Sequence, residues 1–123
     1  MDKKKTIITE HSEQVALFRW AELNVRKYPE LSLMFAIPNG GHRHIAVARR
    51  LKAEGVRAGV PDIQLPVPRG DWVGLWIEMK SKRGKCSPTQ LGWHTSLVAA
   101  GHRVEVCYGC VDARNVILKY LAG

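Results

Sequence analysis

The run Trp72-Val73-Gly74-Leu75-Trp76-Ile77-Glu78-Met79-Lys80 reads as a β-strand whose last turn of alternation mixes opposite chemistries. Side chains two apart on a strand share a face, so Glu78 and Lys80 project together while Ile77 and Met79 point the other way. A carboxylate and an ammonium therefore stand side by side on a sheet, an arrangement that is costly near a core unless something compensates it. The preceding candidate strand, Asp62-Ile63-Gln64-Leu65, opens on a second carboxylate. Pro68-Arg69-Gly70-Asp71 has the residues of a tight turn, which suits an antiparallel pair bringing Asp62 beside Glu78. Two oxygen donors at one point attract a hard divalent cation.

The rest of the chain supplies a helical frame for that pair. Thr9 can cap a helix running to about Tyr28, where Pro29 opposes continuation. Glu10, Gln14, Leu17, Ala21, Val25 and Tyr28 fall on one stripe of it, so Glu10 and Gln14 extend an otherwise apolar core face, while Glu13 lies on the flank and is expected in solvent. Leu33 to Ile37 reads as a short buried strand closed by Pro38-Asn39-Gly40-Gly41. Ile45 to Glu54 is a helix ended by Gly55. Ser87-Pro88-Thr89-Gln90 starts a third helix, with Ser87 at the cap, Pro88 in the first turn and Gly101 just past the end. Arg103 to Tyr108 is the last strand, with Val104 and Val106 on one face, and a helix from roughly Asp112 to Leu121 follows. The expected order is α, β, α, β, β, α, β, α. It predicts an α/β (α+β) fold in which a small mixed β-sheet is flanked by helices, with a right-handed crossover between the last two strands.

Length and charge narrow the class of function. The 123 residues suit one domain over 1–123, large enough to bury about two-thirds of its unfolded surface. No apolar run approaches the roughly 18 residues of a membrane span, and the odd cysteine number, Cys86, Cys107 and Cys110, argues against a disulfide framework, so a cytoplasmic protein with reduced thiols is expected. Cys107 and Cys110 lack the four ligands that structural zinc needs. A formal charge of +8 matches a polyanion-binding domain. Asn39, Gly40, Gly41, His42, Arg43 and His44 form a basic loop leading into a cationic helix with Arg49 and Arg50, and phosphate contacts are expected there. Lys82, Arg83 and Lys85 offer a second track. Trp20, Trp72, Trp76 and Trp93 could stack on unpaired bases, although packing is the commoner fate of tryptophan.

With Pro61-Asp62 and Glu78-Met79-Lys80 in this order, the sequence resembles the PD-(D/E)xK nuclease superfamily of restriction-endonuclease-like fold. It is more narrowly similar to the VRR-NUC family, the virus-type replication-repair nucleases. The closer likeness rests on Ile37-Pro38-Asn39-Gly40-Gly41, Gly55-Val56-Arg57-Ala58-Gly59-Val60-Pro61-Asp62, Glu78-Met79-Lys80, and Gly84 with Ser87-Pro88-Thr89-Gln90. The resemblance implies a homodimer that cuts branched double-stranded DNA, four-way junctions above all, and it is to the single-domain members of phages and prophages, acting in a bacterial or phage-infected cell. Sequence-specific restriction and non-catalytic nucleic-acid binding are the alternatives. A chain this short has little material for base readout, and a pure binder has no use for a costly Asp62, Glu78 and Lys80 cluster.

Within that frame Asp62 and Glu78 would ligate Mg²⁺ or Mn²⁺, with the Met79 carbonyl as a third oxygen. Lys80 would orient the attacking water or stabilise charge on the phosphorane. Glu10 could reach the metal directly or through water, or could simply favour the helix dipole. Gln90 completes a capping box with Ser87, and in the family a glutamine here lies by the catalytic centre; both readings stand.

Overall fold

The computed structural model describes residues 9–38 and 44–123. Four helices and a four-stranded sheet occur in the order α1 (Glu10–Asn24), β1 (Phe35–Ala36), α2 (Ile45–Ala53), β2 (Ile63–Leu65), β3 (Leu75–Lys80), α3 (Pro88–Ala99), β4 (Arg103–Tyr108) and α4 (Cys110–Ala122). The fold is α+β with a mixed sheet, as expected. Strands lie in the order β1-β2-β3-β4, antiparallel except for the parallel pair β3 and β4. No helix among the described residues is long and apolar enough to cross a membrane.

The two faces of the sheet differ because β3 alternates. Ile77 and Met79 face a core with Leu17 and Ala21 of α1, Ile63 and Leu65 of β2, Cys107 of β4, and Ala113 and Ile117 of α4. Glu78 and Lys80 face α3, whose Gln90 touches both. The register Trp76↔Val104 and Glu78↔Val106 puts both valines on that second face. Gly70 (φ 55°) supports the turn before β3, in which Arg69 and Trp72 exchange backbone hydrogen bonds of 3.0 and 2.9 Å.

Helix starts follow the capping chemistry. Thr9 and Ser12 close a capping box on α1, and Ser87 and Gln90 close one on α3. His44 caps α2 through Nδ1, which accepts from the Ala46 amide at 3.3 Å.

Three expectations need correction. The first helix stops at Asn24, whose side chain donates to the Trp20 carbonyl, and Val25 to Lys27 turn before a 3-10 segment at Pro29–Leu33 that buries Leu31. The expected strand over Leu33 to Ile37 shrinks to Phe35–Ala36, and both residues are exposed, because β1 is an edge strand. Glu13 is not a solvated flank residue. Its Oε1 accepts from the Cys110 amide at 3.3 Å and caps α4, where Gly109 offers no side chain.

Candidate active site

The site forms where the β2–β3 ladder stops. Ile63 pairs with Ile77 and Leu65 with Leu75, so the continued register sets Asp62 opposite Glu78 and Pro61 opposite Met79. Within a strand the N–H and C=O of one residue point to the same side, and Met79 turns both toward β2. Pro61 has no N–H, so the ladder gives the Met79 carbonyl no donor. The Met79 amide is satisfied instead by Asp62 Oδ2 at 2.7 Å. The proline thus ends the ladder, and the aspartate side chain accepts from the Met79 amide in its place.

Glu78 is the only buried charged side chain among the described residues, at 1% exposure. Burial, then the hydrogen bond and negative charge of Asp62, push its carboxyl up to about 8, with Lys80 pulling the other way and Glu10 adding to the rise. Both Glu78 oxygens meet α3. Gln90 Nε2 donates to Oε2 at 3.3 Å, and His94 Nε2 lies 3.2 Å from Oε1.

Lys80 Nζ donates to Gln90 Oε1 at 2.9 Å and does not pair with Glu78. The same Gln90 oxygen accepts from the Ser87 amide at 2.8 Å, so one side chain both caps α3 and holds the lysine. The loop after β3 folds back, with the Gly84 amide donating to the Ser81 carbonyl at 2.8 Å. Asp62 arrives on a loop pinned to α3: Trp93 Nε1 donates to the Ala58 carbonyl at 3.1 Å, and Gly59 (φ +90°) lies so close that a Cβ there would stand 2.6 Å from Thr89 Cγ2.

Two clefts meet at these groups. One of about 430 Å³ is lined by Glu10, Asp62, Glu78 and Gln90, and another of about 780 Å³ by Glu10, Asp62, Met79, Phe18 and Arg19. Glu10 is exposed and borders both, at the polar end of the helical stripe whose Leu17 and Ala21 enter the core.

Arg49 and Arg50 are exposed on α2, and the 3.9 Å pair Arg50–Glu54 is open to solvent on both sides. Lys82, Arg83 and Lys85 are exposed directly after Lys80, and His44 is exposed at the start of α2. Asn39, Gly40, Gly41, His42 and Arg43 lie outside the described residues. The tryptophans pack or hydrogen-bond within the protein: Trp20 and Trp72 against the core, Trp93 on Ala58, and Trp76 through Nε1 to His102 Nδ1 at 3.2 Å. Cys107 is wholly buried, and burial pushes its thiol up to about 12.

Sequence reasoning missed His94. The signal was its position four residues after Gln90, which places both on one face of α3. Burial and then the charge of Lys80 hold its imidazole below the ordinary range, against the pull of Asp62.

A family model described as the VRR-NUC domain matches residues 5–110. A solved structure titled "VRR_NUC domain protein" is similar at a TM-score of 0.80 and 25% identity, covering 96% of this chain and 92% of that one. No curated protein matches the chain. This fold, with two carboxylates and a lysine gathered at a ladder end, defines a nuclease of the PD-(D/E)xK type. The chain belongs to the VRR-NUC family.

Proposed function

We propose that the protein is a divalent-metal-dependent endodeoxyribonuclease that hydrolyses phosphodiester bonds in branched DNA, with the four-way junction as favoured substrate, and that it acts as a homodimer in the cytoplasm of a bacterial or phage-infected cell. The observation that carries the chemistry is the convergence of Asp62, Glu78 and a Met79 carbonyl for which Pro61 supplies no donor. The branched substrate and the dimer rest on likeness to the family. A dimer gives two active sites for the two strands that a symmetric junction presents.

The residues fit a hard cation. Burial first, and then the hydrogen bond and charge of Asp62, push the Glu78 carboxyl up to about 8, an electrostatic conflict that a divalent ion relieves. Among the described residues no three His, Cys, Asp or Glu side chains close around one point. Two carboxylates and a peptide carbonyl instead suit Mg²⁺ or Mn²⁺, which keep several waters. Asp62, Glu78 and the Met79 carbonyl would hold the ion, and Glu10 would reach it directly or through water. When bound, the ion makes water more acidic and polarises the phosphoryl oxygen. Lys80, directed by Gln90, places its ammonium where negative charge builds on the phosphorane. Lys82, Arg83, Lys85, His44, Arg49 and Arg50, with the segment Asn39 to Arg43, contact phosphates and set register along the DNA.

The test is cleavage of labelled linear duplex, flap, fork and four-way junction DNAs in Mg²⁺, Mn²⁺ or EDTA. Cleavage of the junction only with metal is expected. Asp62→Ala, Glu78→Gln and Lys80→Ala should abolish cutting while keeping gel-shift affinity, because the cluster acts on the transition state. Near-normal turnover by any of the three would remove the assignment.

A further inference from the structure

We propose that His94 is a positioning residue for the metal site, holding the Glu78 carboxyl group from behind so that its orientation toward the cation is set before the ion arrives. The inference rests on the proposed role of Glu78 as a metal ligand. Its own evidence is geometric. His94 Nε2 lies 3.2 Å from Glu78 Oε1, and the two side chains are 13% and 1% exposed. Gln90 Nε2 donates to the other oxygen, Oε2, at 3.3 Å. Gln90 and His94 are one helical turn apart, so α3 presents a two-point fork matched to the two oxygens of one carboxylate. A carboxyl group held at both oxygens is restrained about its terminal torsion, and once ionised each oxygen keeps a lone pair for a cation.

Gln90 alone does not supply this restraint, because it reaches only Oε2, and Oε1 is met by His94. Toward an ionised Glu78 only the Nε2–H tautomer of His94 can form the bond. Hydrogen-bonded partners behind a ligating carboxylate typically contribute about 10- to 100-fold to metal affinity or activity. In this role His94 acts through Glu78, the group its Nε2 meets.

Mn²⁺ binding to the DNA-free protein, read as the loss of the free-ion signal in electron paramagnetic resonance, tests this without reference to turnover. Wild type, His94→Leu, His94→Asn, His94→Gln and Glu78→Gln are compared, each first shown to be folded by its thermal transition. His94→Leu and His94→Asn, the first without a donor and the second too short, should weaken Mn²⁺ binding about 10- to 100-fold. His94→Gln, whose amide nitrogen can take the place of Nε2, should recover most of the affinity. The Mn²⁺ concentration for half-maximal cleavage should shift in step, with kcat regained at saturating metal. If His94→Leu fails to fold, the contrast of His94→Asn with His94→Gln carries the same information. Wild-type Mn²⁺ affinity in the leucine or asparagine variants, with Glu78→Gln impaired, would overturn the role of His94 alone. A glutamine variant as weak as the asparagine variant would overturn the hydrogen-bond account. Unchanged binding in Glu78→Gln would overturn both this inference and the metal assignment beneath it.

Discussion

Glu78 sits in surroundings that oppose its own ionisation, and that conflict can be measured. Burial and the neighbouring Asp62 push its carboxyl up to about 8 from an ordinary 4.5. Between these values the folded protein holds a proton that the unfolded chain has released, so stability of the metal-free protein falls as pH rises through that window. In EDTA the melting temperature should therefore decline from about pH 4.5 to about pH 8, and Glu78→Gln should remove much of the decline. A melting curve series for the two proteins checks it; parallel pH profiles would contradict the assignment of the slope to Glu78. Binding of the proposed metal would also expel the proton below that pH, so the calorimetric heat of Mg²⁺ binding should vary with the ionisation heat of the buffer.

At the scale of elements, two acids one turn apart on α1 have separate duties. Glu13 caps α4 through the Cys110 amide, whereas Glu10 borders the clefts at Asp62. Glu13→Ala should cost about 1 kcal/mol of stability, and Glu10→Ala only a few tenths. Cleavage should respond in the opposite order, a crossed result that paired denaturation and turnover measurements would reveal. Gly59→Ala should cost about 1–3 kcal/mol, because a Cβ at φ +90° meets Thr89 and displaces the loop that delivers Asp62. What was legible in the sequence divides along this same line. Caps, the strand alternation of β3 and the pairing that sets Asp62 beside Glu78 are local patterns, and they located the helices and the meeting of the two carboxylates. Glu13 and Cys110 are 97 residues apart, and no local signal links them. The exposure of Phe35 depends on which strand ends the sheet, and the turn before Pro29 on a side chain returning to Trp20, neither of which periodicity reports.

For the molecule as a whole, a net charge of +8 governs its approach to a polyanion. The Arg50–Glu54 pair, 71% and 61% exposed, contributes little, so Arg50 stays available to phosphate. Replacing Arg49 and Arg50 with Ala should weaken binding to every DNA shape and reduce the slope of log affinity against log salt by about one for each phosphate no longer neutralised. An unchanged slope would move the track to Lys82, Arg83 and Lys85. The proposed homodimer should sediment at about twice the 13.8 kDa of one chain. The double use of Gln90 has a consequence of another kind. Because its Oε1 accepts from both Lys80 Nζ and the Ser87 backbone amide, any change in the charge or direction of the lysine alters the electron density felt by that amide. In ¹⁵N-labelled protein the Ser87 cross-peak is then a native reporter of the proposed reaction centre, readable on an exposed helix cap without a probe attached and without a single bond being cut.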